Sequence, residues 1–495
     1  MWLDAARLSI TNHELRGHVE VLADDMLEGR EAGSRGGHAA ARYLMKRLEE
    51  ARLQPAGPGG AYTQSFQGRN QNLLAKLEGA DPQLRGEYIV VGAHYDHVGY
   101  GTRRNSYGPW GFIHNGADDN ASGVSALLEV IDAMSRGEYQ PRRSILFCFW
   151  DGEEKGLLGS KHWSRQPTVP LSDVRLAINI DMVGRLVDGR IEVMGTRTGA
   201  GLRQLMSSTR LSTGTWLDYT WEIKDNSDHW TFFQANIPSL CLHTGVHDDY
   251  HRPSDDVEKI NFEGMQEVSR YLLEQLCGLA DADQLPVFRS LSRAETPTTQ
   301  QQVEVPLPAI PSRLAFAWKY LAEEPNQVLV ERVILAAGAG EEQLMAGDRI
   351  IAVEGRPIVC ESQLPAAALA GEAELSLEVL RAESEEARLI TTALRGSPTR
   401  LGLSWRADSA EPGAVYVTRV VPYSPAARAG LKTHDRIYAL SGETYADQQE
   451  LFDRVQELLE TGADKLQFLV ESRGNLREVA VSLELPGTTK NDPTL

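Results

Sequence analysis

Along the first 280 positions the apolar residues fall into short unbroken runs, and several of these runs end in acids or histidines. Ser144-Ile-Leu-Phe-Cys-Phe-Trp150 is of strand length, rich in aromatic and branched residues, and followed at once by Asp151, Gly152, Glu153 and Glu154. It reads as a buried strand delivering carboxylates at its C-terminal end, a common way of building a site on an open α/β sheet. Tyr88-Ile-Val-Val-Gly-Ala93 leads in the same way into His94-Tyr-Asp-His97, and Leu176-Ala-Ile-Asn-Ile180 into Asp181. Between the runs the apolar spacing changes to three and four. Thr11 or Asn12 starts an amphipathic helix. A second covers 38–53 with Tyr43, Leu44 and Leu48 on one side, a third 122–134 with Val124, Leu127, Leu128 and Ile131, and a fourth 262–279. Further strands are expected at 73–77, 191–194 and 239–243, and short helices near Gly156, Leu202 and 228–234. This alternation predicts an α/β fold with a mixed, mostly parallel sheet flanked by helices.

The pattern breaks at 281–311, where Pro, Thr and Gln are frequent, and a linker is expected there. Beyond it the sequence repeats itself. Arg313, Leu314 and Trp318 recur 87 positions later as Arg400, Leu401 and Trp405; Val330, Arg332 and Val333 recur as Val417, Arg419 and Val420; Asp348-Arg-Ile350 recurs as Asp435-Arg-Ile437. An offset held without a gap through many matches implies tandem copies of one module. Short alternating strands and turn glycines make each copy a small β-rich domain. The expected divisions are 1–280, the linker 281–311, the copies 312–397 and 398–488, and a tail 489–495.

A formal charge of −19 over 495 residues argues against non-specific nucleic-acid binding. No apolar run approaches the ~18 residues of a membrane span. The N-terminus lacks a basic region followed by an apolar core, so no secretory signal is expected in this chain, and the compartment stays open. The four cysteines, Cys148, Cys241, Cys277 and Cys360, lack metal-type spacing and are expected to be buried free thiols.

The candidate chemistry lies at the strand ends. His94 and Asp96 are two apart on or just past a strand, so they point the same way; Asp96 is placed to take the second N–H of a metal-bound imidazole, although two polar loop residues would look the same. Asp118 and Asp119, among small residues before the helix at 122, are either a cap and turn or a carboxylate bridging two cations. Glu153 and Glu154 are adjacent and point in different directions, which suits one to ligate metal and the other to handle protons in metal-assisted hydrolysis. Asp181 adds a carboxylate and His251, in a loop, adds an imidazole. Two histidines, three acids and a spare glutamate form an N/O donor set suited to two Zn²⁺, with Co²⁺ or Mn²⁺ as substitutes.

Taken in order, His94-x-Asp96, Asp118-Asp119-Asn120-Ala-Ser-Gly123, Glu153-Glu154, Asn179-Ile-Asp181-Met and Tyr250-His251-x-Pro-x-Asp255 resemble the co-catalytic dizinc aminopeptidases, a group that includes bacterial leucyl aminopeptidase and aminopeptidase Y, with glutamate carboxypeptidases and the transferrin receptor as relatives. Leu27-Glu-Gly-Arg30 and Ser227-Asp-His229 also look like family features. The resemblance covers about residues 10–280. It implies that His94, Asp119 and Asp181 hold one zinc, that Asp119 is shared, that Glu154 and His251 complete the second position, that Glu153 is general base and acid, and that Asp96 orients His94. It also implies a cis peptide at Asp119–Asn120.

The C-terminal copies resemble PDZ domains. Arg400-Leu401-Gly402-Leu403-Ser404 is similar to the loop that accepts a peptide carboxylate, whereas Leu314-Ala-Phe-Ala317 in the first copy is a weaker match. The expected protein is an aminopeptidase acting on peptides or proteins with free N-termini, its PDZ-like modules recruiting peptide C-termini or partners. A carboxypeptidase or glutaminyl cyclase on the same fold, or a non-catalytic PDZ adaptor, are the alternatives. Residues 99–114 and 185–247 are expected to line the substrate pocket, with Tyr107, Trp110 and Trp221 either walling it or packing ordinarily.

Overall fold

The computed structural model describes residues 2–136, 139–209, 211–334, 343–381, 384 and 386–486. They form two compact units, and the first comprises Met1–Pro297 with the short segments Ser409–Glu411 and Arg473–Leu476.

The frame of the first unit is a nine-stranded sheet among the described residues. Its strands are β1 (Gln54–Pro55), β2 (Thr63–Phe66), β3 (Asn70–Leu77), β4 (Tyr88–His94), β5 (Ser144–Trp150), β6 (Val174–Ile180), β7 (Arg190–Met194), β8 (Trp216–Tyr219) and β9 (Ser239–His243). They lie in the order β1-β3-β5-β4-β6-β9-β7-β8, with β2 on β3. The centre, β5-β4-β6-β9, is parallel; β3 and β7 join it antiparallel. The sheet is therefore mixed, as the alternation implied.

Strand β5 shows why the unbroken apolar run reads as a central strand. Ile145, Phe147 and Phe149 enter the large core on one face. Leu146, Cys148 and Trp150 enter a second core on the other, with Trp163 and Phe232. Both faces are covered, so neither carries a polar alternate. Truncating Phe147 or Phe149 to Ala would cost roughly 3–5 kcal/mol. Gly92 in β4 makes room for this packing, because a Cβ there would lie 2.3 Å from Trp150 Nε1.

Helices α1 (Trp2–Ser9), α2 (Asn12–Leu22), α3 (Arg35–Glu50) and α4 (Gly123–Ser135) precede β5; α5 (Leu158–Arg165), α6 (Leu202–Met206), α7 (His229–Gln234) and α8 (Phe262–Asp281) follow it. The apolar faces of α2, α4 and α8 fill the first core, and Trp163 of α5 and Phe232 of α7 the second. Thr11 caps α2 by accepting from the Glu14 N–H, and Ser34 and Asn261 cap α3 and α8 in the same way; such a cap is worth ~1 kcal/mol. The second helix thus starts at Arg35 and ends at Glu50, a few residues before the expected span. Strands β2 and β8 were not expected. Both are four residues long, too short to establish a period.

The second unit comprises Thr298–Asp408, Pro412–Ser472 and the residues from Arg477 on. After helix α9 (Pro297–Glu304) it has two sheets. The first holds β10 (Phe316–Tyr320), β11 (Val328–Val333), β12 (Arg349–Val353), β13 (Arg356–Pro357), β14 (Glu374–Leu380) and β15 (Arg388–Ala393), with helix α10 (Gln363–Ala370). The second holds β16 (Leu403–Ala407), β17 (Val415–Val420), β18 (Arg436–Leu440), β19 (Lys465–Ser472) and β20 (Asn475–Ser482), with helices α11 (Pro425–Arg428) and α12 (Gln448–Glu460). The strand orders correspond, β10-β11-β12-β14-β15 and β16-β17-β18-β19-β20. The first three strands of each sheet sit 87 positions apart, and so does a bulge at Ala317/Trp318 and Ser404/Trp405. The two β-rich copies thus appear as antiparallel sheets consistent with PDZ domains.

The stretch expected as a linker, 281–311, is largely docked. Glu295 takes ion pairs from Arg197 and Arg289, both at 2.7 Å and all three side chains under 10% exposed. The following residues form α9, and Leu307 donates to the Thr418 carbonyl inside the second unit. Composition alone did not reveal these buried ion pairs, which hold a proline-rich segment down. The tail 489–495 lies outside the described residues. Cys148, Cys241 and Cys277 are buried free thiols and Cys360 is half-buried. Among the described residues no helix is long and apolar enough to cross a membrane.

Candidate active site

Strand β4 has β5 on one side and β6 on the other, so the chain reverses its direction of progress across the sheet at β4. Crevices at the carboxyl ends of strands form at such points. His94 is the last residue of β4 and pairs in register with Trp150. Glu153 and Glu154 follow β5, Asp181 follows β6, and the loop after β9 carries His247 and His251.

These side chains converge. His94 Nε2 lies 3.3 Å from Asp119 Oδ1 and 3.4 Å from Asp181 Oδ1. His251 Nε2 lies 3.1 Å from Asp119 Oδ2 and 3.2 Å from Glu154 Oε2. Asp119 therefore turns one oxygen to each imidazole. The four separations are near the ~3.3–3.4 Å between donors on a tetrahedral zinc with bonds of ~2.0–2.1 Å. Asp181 Oδ1 is buried without a hydrogen-bond partner, and burial of an orphaned carboxylate oxygen is costly unless something cationic meets it. The residues offer N/O donors suited to zinc, and Asp119 lies within reach of both imidazoles.

The surroundings hold each donor. Asp255 Oδ2 accepts the backbone N–H groups of both Asp118 and Asp119. Asn120 donates to the Ile180 carbonyl and accepts from Gly123 and Met182, tying the bridging turn to β6. The peptide between Asp119 and Asn120 is cis. Ser227 donates to Asp181 Oδ2 at 2.5 Å and accepts from Asn179. Asp118 is turned away from the pair of positions; its carboxylate meets His247 at 3.2 Å, Gly184 N–H and the Ser122 hydroxyl.

Asp96 differs from its expected part. The His94 Nδ1 partner is the Asp96 main-chain carbonyl at 3.1 Å, and the Asp96 carboxylate is 3.8 Å away. That carboxylate instead accepts the Glu153 N–H at 3.0 Å. Two-residue spacing put both side chains on one side, but the turn after β4 brings the backbone oxygen to the ring first.

The electrostatics separate the acids. Burial pushes the Glu153 carboxyl well above the usual range; Glu154, Asp228 and Asp181 reinforce this and His94 opposes it. Asp119 goes the other way: burial alone would raise it, but His97, His251 and His94 hold it well below. An Asp119 carboxylate kept ionised beside a glutamate that favours its proton is a division of labour suited to proton transfer.

Sequence reasoning passed over four residues here. Arg30, 1% exposed, donates to the carbonyls of Tyr95, Leu22, Asn115 and Gly116. His97 lies 2.8 Å from Glu154 Oε1. Asp255 and His247 back the bridging turn. Arg30 and Asp255 sat inside motifs that had been singled out, yet their partners are backbone groups that leave no trace in side-chain spacing. Among the expected wall residues, Tyr107 packs near His251 and Tyr250, with ring centroids 6.4 and 6.2 Å apart. Trp110 is half exposed beneath Arg103. Trp221 stacks on the Arg197 guanidinium at 3.5 Å and lines a separate cavity with Trp230 and Phe233.

In the second unit, Leu401, Gly402, Leu403 and Ser404 line a cavity of about 710 Å³ together with Phe452, Val455 and Leu459 of α12. Strand β16 is the edge of its sheet.

Residues 72–276 match the family model for peptidase family M28, and residues 391–471 match that for the PDZ domain. The chain thus carries an M28 metallopeptidase domain followed by a PDZ domain. It is 28% identical over 237 residues to leupeptin-inactivating enzyme 1 of Streptomyces exfoliatus, covering 47% of this chain and 48% of that protein. It is 29% identical over 185 residues to the probable glutamate carboxypeptidase LAMP1 of Arabidopsis thaliana, covering 35% and 24%. A probable leucine aminopeptidase of Arthroderma otae is 23% identical over 263 residues, covering 50% and 68%. The chain spans about half of the first of these relatives and a quarter of the second. Among solved structures, the LapA aminopeptidase of Legionella pneumophila superimposes with a TM-score of 0.45 at 20% identity, covering 57% of this chain and 75% of that one.

Proposed function

We propose that the chain is a dizinc aminopeptidase, with His94, Asp119 and Asp181 holding one ion and Asp119, Glu154 and His251 the other. The observation that carries this reading is the shared carboxylate: each Asp119 oxygen faces a different imidazole, at 3.3 and 3.1 Å. When bound, the ions would polarise the scissile carbonyl and acidify a water. The residues do the rest. Glu153, its carboxyl raised by burial and its backbone held by Asp96, takes a proton and returns it to the leaving amine. Asp255 and Asn120 keep the bridging carboxylate aimed, and Ser227 fixes Asp181.

The charge around the site supports an N-terminal substrate over a C-terminal one. A substrate carboxylate needs a cation with free donors. Arg30 spends four of its N–H groups on carbonyls, and Arg185 already turns Nη2 to both Asp249 and Asp255. With Asp181 on a zinc and Glu153 handling protons, the acid left to meet a free α-ammonium is Asp228, whose two oxygens are buried without a hydrogen-bond partner near Asp181.

For the second unit we propose that a peptide C-terminus lies along β16 in the groove beside α12, its carboxylate at Leu401-Gly402-Leu403-Ser404 and its last side chain against Phe452, Val455 and Leu459.

The test uses metal-free protein, then protein reloaded with zinc, on unblocked aminoacyl chromogenic amides and their N-acetylated forms, with Glu153→Gln alongside. Zinc-dependent cleavage of the unblocked amides alone, lost by ~10²–10⁴-fold in Glu153→Gln, is expected. Cleavage of acetylated or C-terminal substrates instead would overturn the aminopeptidase assignment.

A further inference from the structure

We propose that His97 is a fourth protein ligand of the second cation position, which would then hold two imidazoles where the five-residue set supplies one. The inference rests on the dizinc reading above. His97 is 1% exposed. Its Nδ1 lies 2.8 Å from Glu154 Oε1 and 3.8 Å from Asp119 Oδ2. These values bracket the ~3.3–3.4 Å separation of donors around one zinc. His97, Asp119 and Glu154 each offer a donor atom within 4.8 Å of the others. The rings of His97 and His251 stand nearly perpendicular, 82° apart with centroids 5.6 Å apart. Two imidazoles aimed from different sides at one point adopt such an arrangement.

The ring is held where it is. Its backbone N–H donates to the Arg30 carbonyl at 3.3 Å. Gly116, with φ of 55°, packs against it so closely that a Cβ would lie 2.5 Å from His97 Cδ2. The other ring nitrogen, Nε2, is buried without a hydrogen-bond partner. Nδ1 of this buried ring faces both carboxylates and is the nitrogen placed as a metal donor, while Nε2 lacks the outer hydrogen bond that ligating imidazoles usually make. The competing part, a hydrogen bond that merely orients Glu154, uses the same 2.8 Å contact and is the alternative the test must separate.

The proposal makes the two positions chemically unequal. One would have His94, Asp181 and the shared Asp119; the other His97, His251, Glu154 and the shared Asp119. Nitrogen-rich sites prefer zinc and cobalt over manganese more strongly than carboxylate-rich ones. The first equivalent of zinc is therefore expected at the His97–His251 position, leaving the other open to Mn²⁺.

The experiment uses the full chain, wild type and the variants His97→Gln and His97→Ala. Gln keeps a hydrogen bond to Glu154 but is a poor zinc ligand. Zinc content and affinity are read by mass spectrometry and competition with a chromophoric chelator, and imidazole number by X-ray absorption at the zinc edge. The expected wild type shows three imidazoles over two zincs. Both variants are expected to show two, with the tighter site weakened more than the ~10–100-fold that loss of a supporting hydrogen bond costs. If His97→Gln keeps two zincs within tenfold of wild-type affinity and wild type shows two imidazoles, His97 is not a ligand and the proposal fails while the dizinc reading stands. Wild type binding fewer than two zincs would overturn both.

Discussion

Replacing Arg30 by Met tests whether the site is held by its backbone. The guanidinium donates four hydrogen bonds, to Leu22 O and Asn115 O at 2.6 Å, Tyr95 O at 2.9 Å and Gly116 O at 3.0 Å. These carbonyls belong to α2, to the turn after His94 and to the segment before Asp119. Met fills similar space and donates nothing. Each buried carbonyl left unpaired costs ~1–3 kcal/mol, so four at about 2 cost about 8 kcal/mol. Part of this is recovered, because burial drags the guanidinium pKa from 12.5 to about 10, against the pull of Asp119, Asp96, Asp255 and Glu154. At 1.36 kcal/mol per unit the net shift amounts to about 3 kcal/mol against the charged side chain, which the apolar one avoids. The net loss is about 5 kcal/mol, the size expected for emptying a buried charge site. At roughly 2 °C per kcal/mol for a unit of this size, the first unit should melt about 10 °C lower. Calorimetry of the zinc-loaded chain reads this transition. Arg30→Lys, which restores charge but only three donors, should recover about half. A drop below 2 °C in both variants would refute the reasoning and mean that the four carbonyls are satisfied without Arg30.

Removing metal with EDTA should lower the melting temperature of the first unit and abolish amide hydrolysis, and zinc should restore both. Ligand at 1,000 times its dissociation constant stabilises by about 4 kcal/mol, so loss of activity with an unchanged melting temperature would mean the ions do not bind at the buried cluster. Glu129, buried and 3.2 Å from His18 Nε2, has its carboxyl raised by burial against the pull of His18. A raised folded-state value stabilises fully below the unfolded value near 4.5 and is lost as pH rises through the folded one, so Glu129→Gln should raise the melting temperature at pH 8 and leave it unchanged at pH 4. In the second unit, Leu403→Glu should weaken a fluorescent C-terminal peptide by tenfold or more in an anisotropy titration without changing amide hydrolysis. Equal binding would remove the groove from the peptide's path.

What the sequence disclosed and withheld follows from which atoms do the holding. His94, Glu153, Glu154 and Asp181 were legible as candidates because each follows an apolar run, and a strand's end is fixed by the same hydrophobic pattern that reveals the strand; Asp119 stood out as one of two adjacent acids among small residues, and His251 only as the loop histidine that completes the donor set. Arg30 was not. Its four partners are carbonyls, present at every residue, so no spacing of side chains advertises them. Asp96 was legible as a residue and misread as a part, because spacing gives the side of the strand and not which oxygen arrives first. His97 sits three positions past His94, beyond the strand, where period-two reasoning no longer applies. The edge strand β8 and the ion pair of Glu295 with Arg197 were invisible for related reasons: one is too short for a period, and the other joins residues almost a hundred positions apart.

The tandem copies show how far a repeat in sequence carries into function. Their first three strands keep the 87-residue offset, but the copies part at the helix: α10 has 8 residues and α12 has 13. In α10 nearly every side chain is buried, Leu364 and Ala366–Ala368 among them. In α12 Leu451 and Val455 are buried while Phe452 is exposed and lines the groove. The arginines at equivalent positions follow the same division. Arg313, 4% exposed, donates to the carbonyls of Ala368, Leu369 and Gly371 and so caps the end of α10. Arg400 is exposed and lines the cavity beside Leu401. An arginine spent on capping its own helix has no donors left for a peptide, and a helix buried along its length offers no apolar wall. The weak match of Leu314-Ala-Phe-Ala317 to a carboxylate loop and the short, buried α10 are two signs of one fact. The first copy has put its groove-forming parts into its own core, and the proposed capture of peptide ends rests with the second copy alone.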